Sequence, residues 1–518
     1  MNGTEDTLAK QAKSKIDEEE GSPEASAGRN TTATGEQLIR AEDGTYLWRS
    51  KAGEAPVPVS QLLEAFACED SFDAMRARAR HLGRSLAASI HLAGRQPELM
   101  GLLTMLVHVS PLRIVLPNGR RLKYAPLQGL AVGESGSYKT TAICDLSERL
   151  GLAEIATSDT TTRAGLLYRI RSGTVLPGLL PRNHAKMVAI DEFHKVRPDE
   201  VRASTSPRSC GVLRVEGCGA ASFPMQTRLL CVGSLRQKGA RGLYGSESIA
   251  LRDLEAGILG TGFLEPEDLR RFDFVLVVGR QGAKPAMPSA EPPSIEQLAR
   301  LVRLYWRIDE QADEGCVWAQ GAYEMAREVT EALNEKYETP LHPVFGPDTL
   351  DKLCRVSAAA ARLMPVEPDG KTRITPSHVR WAGFLLYSIY EMPTNGLARI
   401  ARRDRAATEG PSAEKLSGLF ENLLVEVPEI WTIMDVFKVK EQGSVTTATL
   451  AVETGMAIRT MTSRVRTLKD GGLVSTHGRA GLKATSLMRQ LIRWRDACEN
   501  TDAEGGKDCK ESQDTVAA

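Results

Sequence analysis

No stretch of this 518-residue chain approaches the roughly 20 consecutive apolar residues of a membrane-spanning helix, so no membrane partner is expected. Neither sign of charge prevails, with 66 Lys and Arg against 66 Asp and Glu. A net field that would draw the whole surface to nucleic acid is therefore missing, and any such binding must come from a local patch. The nine cysteines are scattered without a Cys-x-x-Cys pair, and Cys210 and Cys218 lack partners at zinc-site spacing. Reduced thiols, no structural zinc and a cytoplasmic location are expected. The N-terminus is polar and acidic, without the pattern of a secretory signal. What the chain does have is 42% hydrophobic residues, enough for real cores, and a length that implies about two to four domains.

The most informative stretch is Gly133-Glu134-Ser135-Gly136-Ser137-Tyr138-Lys139-Thr140. A short strand is expected before it, over 127–132, and a helix after it, from Thr141. Strand, tight loop, Lys-Thr and helix is the layout of a phosphate-binding loop. Backbone N–H groups at a helix N-terminus point at phosphates, and glycines let the backbone approach them. In that chemistry residues Gly133 to Thr141 cradle ATP, Lys139 reaches the β- and γ-phosphates, and Thr140 ligates Mg²⁺. Tyr138 is the irregular member, because most such loops carry their second glycine there. Further on, Met187-Val188-Ala189-Ile190 reads as a buried strand that ends in Asp191 and Glu192. A carboxylate at such a tip, Asp191, orders Mg²⁺ and its water, and Glu192 polarises the attacking water. A third strand is expected over 227–233, and a polar residue at its end would contact the γ-phosphate or the water. Ser234 is the candidate and Arg236 the alternative.

The remaining chain divides by composition. Residues 1–70 are expected to be mostly disordered, with an ordered piece near Tyr46-Leu47-Trp48 and a helical pattern from Pro56. Residues 71–90 read as a helix carrying Arg76, Arg78, Arg80 and Arg84, either a solvated face or a DNA contact. Residues 97–107 are apolar and helical and suit a position under the nucleotide fold. Pro117-Asn118-Gly119 marks one hairpin turn, and the alternation and glycines of 211–221 mark another hairpin. A fourth strand, over 274–278, follows Arg270-Arg271-Phe272-Asp273, from which an arginine could reach a neighbouring subunit's γ-phosphate. Four helices are expected near 294–308, 319–337, 347–363 and 375–390. Residues 414–495 read as a separate small domain, with helices over 446–454 and 457–470 and a two-stranded wing around 477–481. That order is the winged-helix pattern. Its second helix carries Arg459, Arg464, Arg466 and Lys469, a face suited to DNA phosphates and major-groove edges, with protein binding as the other use of such a domain. Residues 496–518 are expected to be a disordered tail.

With these residues placed, the chain resembles the minichromosome maintenance (MCM) branch of the AAA+ ATPases. That family's loop, Gly-Asp-Pro-Gly-Thr-Ala-Lys-Ser, also replaces the second glycine. Its Asp-Glu-Phe-Asp-Lys-Met is similar to Asp191-Glu192-Phe193-His194-Lys195-Val196, and its Ser-Arg-Phe-Asp to Arg270-Arg271-Phe272-Asp273. Arg163-Ala164-Gly165-Leu166 resembles the start of the family's helix-2 insert, and 350–362, with Arg355 inside, its lid helix. The resemblance implies an α/β fold: an AAA+ P-loop core over 71–283, an α-helical lid over 284–405 and a C-terminal winged helix over 414–495. It implies that Arg271 is the arginine finger, that Ser234 stands for the first sensor, and that Asp348 stands where the second-sensor arginine is expected. The pore-hairpin lysine expected near Gly217 is missing, and Arg214 is the basic residue close to it. The family's N-terminal collar has no room in this chain. The implied activity is that of an ATP-driven homo-hexameric ring moving on DNA as a replicative helicase. The alternative is a DNA-binding initiator or regulator whose assembly is set by ATP, without processive unwinding.

Overall fold

Short apolar runs separated by longer helix-forming segments favour parallel pairing, because each return to the sheet needs a crossover of a dozen or more residues. A computed structural model of the chain describes residues 37–41, 45–49, 55–157, 162–216, 220–236, 249–254, 256–280, 283–286, 293–311, 316–339, 343–409, 413–439, 444–476 and 481–504. Five strands form its central sheet: β1 (Gln128–Gly133), β2 (Ala153–Ala156), β3 (Met187–Ile190), β4 (Arg228–Ser234) and β5 (Phe274–Val278). All are parallel, in the order β5-β1-β4-β3-β2. The expected α/β class with a parallel sheet is therefore found. Because β2 lies at one edge and β5 at the other, connections diverge on the two sides of β1. The crevice at the carboxyl ends of such a sheet is where ligands bind. The sequence reading had no counterpart for β2, a short edge strand with an exposed Ile155.

Helices cover the sheet. In chain order they include α1 (Phe72–Ser89), α2 (Arg95–Val109), α3 (Pro198–Cys210), α4 (Ile295–Gln311), α5 (Thr349–Leu363) and α6 (Pro376–Tyr390). α2 is apolar on every side and almost wholly buried, as a helix enclosed by other elements must be. It packs against β1 and β4 of the central sheet and against α1, α4 and α5. The first compact unit takes in residues 1–331 and 347–389, so α4, most of α6 and all of α5 belong with the sheet. The second unit takes in 332–346 and 390–518. It holds an aromatic cluster of Tyr337, Phe345 and Tyr390 and, toward its end, α7 (Ile458–Asp470) with strands β6 (Val474–Thr476) and β7 (Leu482–Ala484). Leu450, Met461, Val465, Leu468, Leu473 and Met488 share one core there.

At the N-terminal side the ordered piece expected near Tyr46-Leu47-Trp48 and the helix expected after Pro56 are both found. Gln37–Arg40 and Tyr46–Arg49 pair antiparallel, Val57–Pro58 adds a third strand, and Val59–Glu64 is helical. Leu38, Tyr46 and a fully buried Trp48 give this piece its apolar core, and it extends further toward the N-terminus than expected, to Gln37. At the other end a helix runs over Ser486–Glu504, into the expected tail. Residues 1–36 and 505–518 lie outside the described residues, as do the tips of the 211–221 hairpin at 217–219 and of the wing at 477–480. Among the described residues no helix is long and apolar enough to cross a membrane.

One buried charge cluster ties the base of the sheet to its helices. Arg228, at the start of β4, is ion-paired with Asp309 of α4 at 2.5 Å, and Arg362 of α5 reaches the same carboxylate at 2.7 Å. Arg228 also donates to the Ser110 carbonyl at 2.8 Å and stacks over Trp306. Two desolvated guanidiniums thus share one carboxylate, and removing it leaves both exposed to the full cost of burial. Asp309→Asn is therefore expected to destabilise the first unit by about 3–5 kcal/mol, read as a lowered denaturant midpoint. A midpoint equal to the parent's contradicts the role given to the cluster.

Candidate functional site

β1 delivers the loop to the carboxyl edge of the sheet. A Cβ on Gly133 would sit 2.2 Å from the Val278 carbonyl oxygen, so β1 and β5 meet there only without a side chain. Gly136 (φ +78) and Tyr138 (φ +58) both take left-handed backbone. Tyr138 thus keeps the conformation of the glycine it replaces, at about 1–2 kcal/mol of local strain. The N–H groups of Lys139, Thr140 and Thr141 precede the first intrahelical bond, from Ala142 N–H to the Tyr138 carbonyl at 2.9 Å. They are the groups that a helix start leaves without an internal partner. The helix then widens into a π-turn over Thr141–Asp145, a distortion frequent at functional sites.

Lys139 lies folded under the loop. Its Nζ donates to the carbonyls of Gly133 at 3.2 Å and Glu134 at 2.7 Å, and to Ser137 Oγ at 3.0 Å. Burial pushes its ammonium down to about 8, against the attraction of Asp191. Thr140 Oγ1 lies 3.3 and 3.2 Å from the two carboxylate oxygens of Asp191, at the end of β3. Asp191 Oδ1 also accepts the N–H of Glu192 at 2.8 Å. Glu192 is left-handed (φ +55), a strained state of the kind that gathers at functional sites. Its side chain is 45% exposed and pairs with Lys195 Nζ at 2.7 Å. Ser234, ending β4, lines the same cavity of about 490 Å³ together with Ser135 to Thr141, Asp191, Glu192 and His194.

His194 was not singled out by the sequence reading. Its Nδ1 accepts the Ser234 N–H at 3.0 Å, which joins the β3 tip to the β4 tip. Burial, with Arg236 nearby, pushes the imidazole down to about 4, so it is neutral in that bond at physiological pH. The only sequence signal was its place in Asp-Glu-Phe-His-Lys, where the resembled family has an aspartate.

Other expected residues stand elsewhere. Gly133 and Glu134 do not line the cavity. The Glu134 carboxylate accepts the N–H groups of Arg280 and Leu251, each at 3.0 Å, and those bonds hold it below its ordinary range. Arg280 also donates to the Ser135 carbonyl at 2.7 Å, so the loop is braced from its outer side. Arg236 is likewise not among the lining residues; its N–H donates to the Gly260 carbonyl at 2.8 Å. Arg271 precedes β5, at the amino-terminal edge of the sheet, about five strand residues or roughly 16 Å from its own loop. The segment around it is held by α5: Arg270 pairs with Asp348 at 2.9 Å, Lys352 Nζ donates to the Phe272 carbonyl at 2.9 Å, and Arg355 pairs with Asp273 at 2.7 Å. Arg355 is thereby committed at the same far edge and does not reach the cavity of its own chain. Arg214 is exposed on the hairpin strand Val212–Val215. Arg459, Arg466 and Lys469 are exposed on α7, opposite Met461, Val465 and Leu468. Arg464 instead donates to the Glu426 carbonyl and lies 3.6 Å from the Glu429 carboxylate, so it is not free for an external phosphate.

Compared with known proteins, the chain matches no family model, and no curated protein matches it in sequence. The geometry must therefore speak for the site. A folded lysine with its proton held only to about pH 8 regains that proton fully when polyanionic oxygens replace carbonyls around it. Between about 8 and the ordinary 10.5 the unfolded chain holds this proton and the folded chain does not, so the group's contribution favours folding more as pH rises through that window. Titration calorimetry with inorganic triphosphate slightly above pH 8, in two buffers of different ionisation enthalpy, is expected to report proton uptake on binding. Equal heats in the two buffers, or the same uptake in Lys139→Ala, contradict this assignment.

Proposed function

We propose that the chain is a P-loop ATPase of the AAA+ type, similar to the MCM branch, that acts on DNA as a ring of identical copies, a hexamer in the resembled family. The observation that carries it is the meeting of Lys139, Thr140 and Asp191 at one cavity, from two strands separated by a third. In this reading the helices after β5 form the lid, and the unit containing α7, β6 and β7 is a winged helix.

The Thr140 hydroxyl and the Asp191 carboxylate are hard oxygen donors that fit Mg²⁺, with phosphate oxygens and water completing the shell. Bound there, Mg²⁺ supplies charge neutralisation on the β- and γ-phosphates. The loop N–H groups and Lys139 grip those phosphates, which requires Nζ to leave its loop carbonyls. Glu192 accepts the proton of the attacking water as the bond from the γ-phosphorus to the β–γ bridging oxygen breaks and ADP leaves. The Lys195 ammonium, paired with it at 2.7 Å, steadies the Glu192 carboxylate beside the cavity. Ser234, fixed through His194, orients the water or the γ-phosphate. Arg271 stands too far from its own loop to take part, which supports its acting on the site of an adjoining copy. On DNA, Arg459, Arg466 and Lys469 of α7 and Arg214 of the hairpin provide phosphate contacts.

The initiator reading keeps one specific support. Among the described residues that line the cavity, Lys139 is the one cation. A site with so little charge for the leaving group turns over slowly unless a neighbour completes it, as suits a switch of assembly. A discrete DNase footprint without strand displacement is the outcome that favours it.

The test is complementation. Lys139→Ala and Arg271→Ala are each expected to lose ATPase activity, the finger alone by about 10³-fold or more. Mixed together they regain part of it, because an intact loop in one copy meets an intact Arg271 in the next. Glu192→Gln is expected to lose about 10²-fold or more in any mixture. Parent-like turnover in Glu192→Gln, or no recovery on mixing, overturns the proposal.

A further inference from the structure

Arg76, Arg80 and Arg84 recur every fourth residue along α1, about 6 Å apart, and all three are exposed. They form one wall of a groove of about 510 Å³ that Arg95 and Glu98 of α2 and Phe384 of α6 complete. The groove follows from close helix packing, since a Cβ on Gly83 would meet the Glu98 carbonyl oxygen at 2.9 Å. Arg78 faces away and donates to the Ala65 carbonyl. Among the described residues Arg80, Arg84 and Arg95 make no hydrogen bond or ion pair. Among the described residues that line the groove, Glu98 is the one carboxylate beside four guanidiniums.

Aromatic surface adjoins this charge. Phe384 is 36% exposed, and Tyr387, on the next turn of α6, is 43% exposed. The Arg76 guanidinium lies 5.1 Å from the centre of the Phe384 ring. Surplus guanidiniums in a row beside exposed rings suit a flexible polyanion that also carries flat apolar faces. Single-stranded nucleic acid has both, whereas an acidic peptide uses the charges and leaves the rings idle.

We propose that this groove binds single-stranded nucleic acid, with backbone phosphates on Arg80, Arg84 and Arg95 and a base stacked on Phe384. The site shares no residue with the cavity at Lys139 or with α7, and it goes beyond the ATPase reading, needing neither nucleotide nor ring.

The test measures anisotropy of fluorescein-labelled oligothymidine and oligouridine with the full chain over a salt series. In Arg80→Ala/Arg84→Ala the slope of log K against log salt is expected to fall by about 1.4, two single-strand contacts at about 0.7 each. Phe384→Ala is expected to weaken binding roughly tenfold with little change of slope. Arg84→Ala alone, at an exposed position, is expected to lose about 0.7 of slope without a change in melting temperature. Preference for one oligonucleotide over the other identifies the sugar recognised, and either preference supports the site if the variants abolish it. Variants that melt with the parent and keep its affinity and slope overturn the proposal. So does loss of polyglutamate binding with both oligonucleotides retained.

Discussion

Thr140 and Asp191 are 51 residues apart in the chain and meet because β4 lies between the strands that carry them. Parallel pairing sets Gly133 level with Ser234 and Ile190 level with Cys231. The ends of β1 and β4 are therefore level, β3 ends three residues lower, and Asp191 and Thr140 meet across the width of β4, two interstrand spacings of about 4.8 Å each. A one-residue slip would turn every side chain to the other face of the sheet. The fully buried Val, Leu and Ile of these strands, enclosed on both sides, resist such a slip. The site is thus a consequence of register before it is a consequence of any single side chain.

Charge is distributed in the opposite sense. Of the ionisable groups at the carboxyl edge, Glu192 is half-exposed, and the buried Lys139 is bound only to neutral oxygens that a ligand can replace. At the amino edge they are buried and fully engaged, with Arg228, Asp309 and Arg362 in one cluster and Asp273 with Arg355 beside it. Burial raises the Asp273 carboxyl above its ordinary range against the pull of Arg355. Arg271, half-buried, belongs to the segment that this second cluster holds.

Much of this was legible in the sequence where the signal is local. The loop from Gly133 to Thr140, the strands at Met187–Ile190 and Phe274–Val278, and the helices that became α4 to α7 follow from apolar runs, turn residues and periodicity. Elements whose reason is long-range were not. β2 is four residues long, interrupted by Glu154, and exists because β3 offers it an edge. His194 matters through the N–H of Ser234, forty residues on. Arg464 sits in a basic run, yet the Glu426 carbonyl and Glu429 claim it. Among the four arginines of α1 the spacing already sets Arg78 off the row of Arg76, Arg80 and Arg84, but the groove beside that row needs α2 and α6. Tyr138 is the instructive intermediate: its position marked it as irregular, and its positive φ puts a bulky side chain on backbone that favours glycine.

The central claim is that Lys139, Thr140 and Asp191 together hold a triphosphate and its magnesium. The most direct measurement is the affinity of a fluorescent ATP analogue with and without Mg²⁺, for the parent, Thr140→Ala and Asp191→Asn. Saturable binding that Mg²⁺ strengthens in the parent, with the Mg²⁺ effect lost in both variants, is the predicted result. Absence of saturable binding in the parent, or a Mg²⁺ effect that both variants retain, contradicts the account.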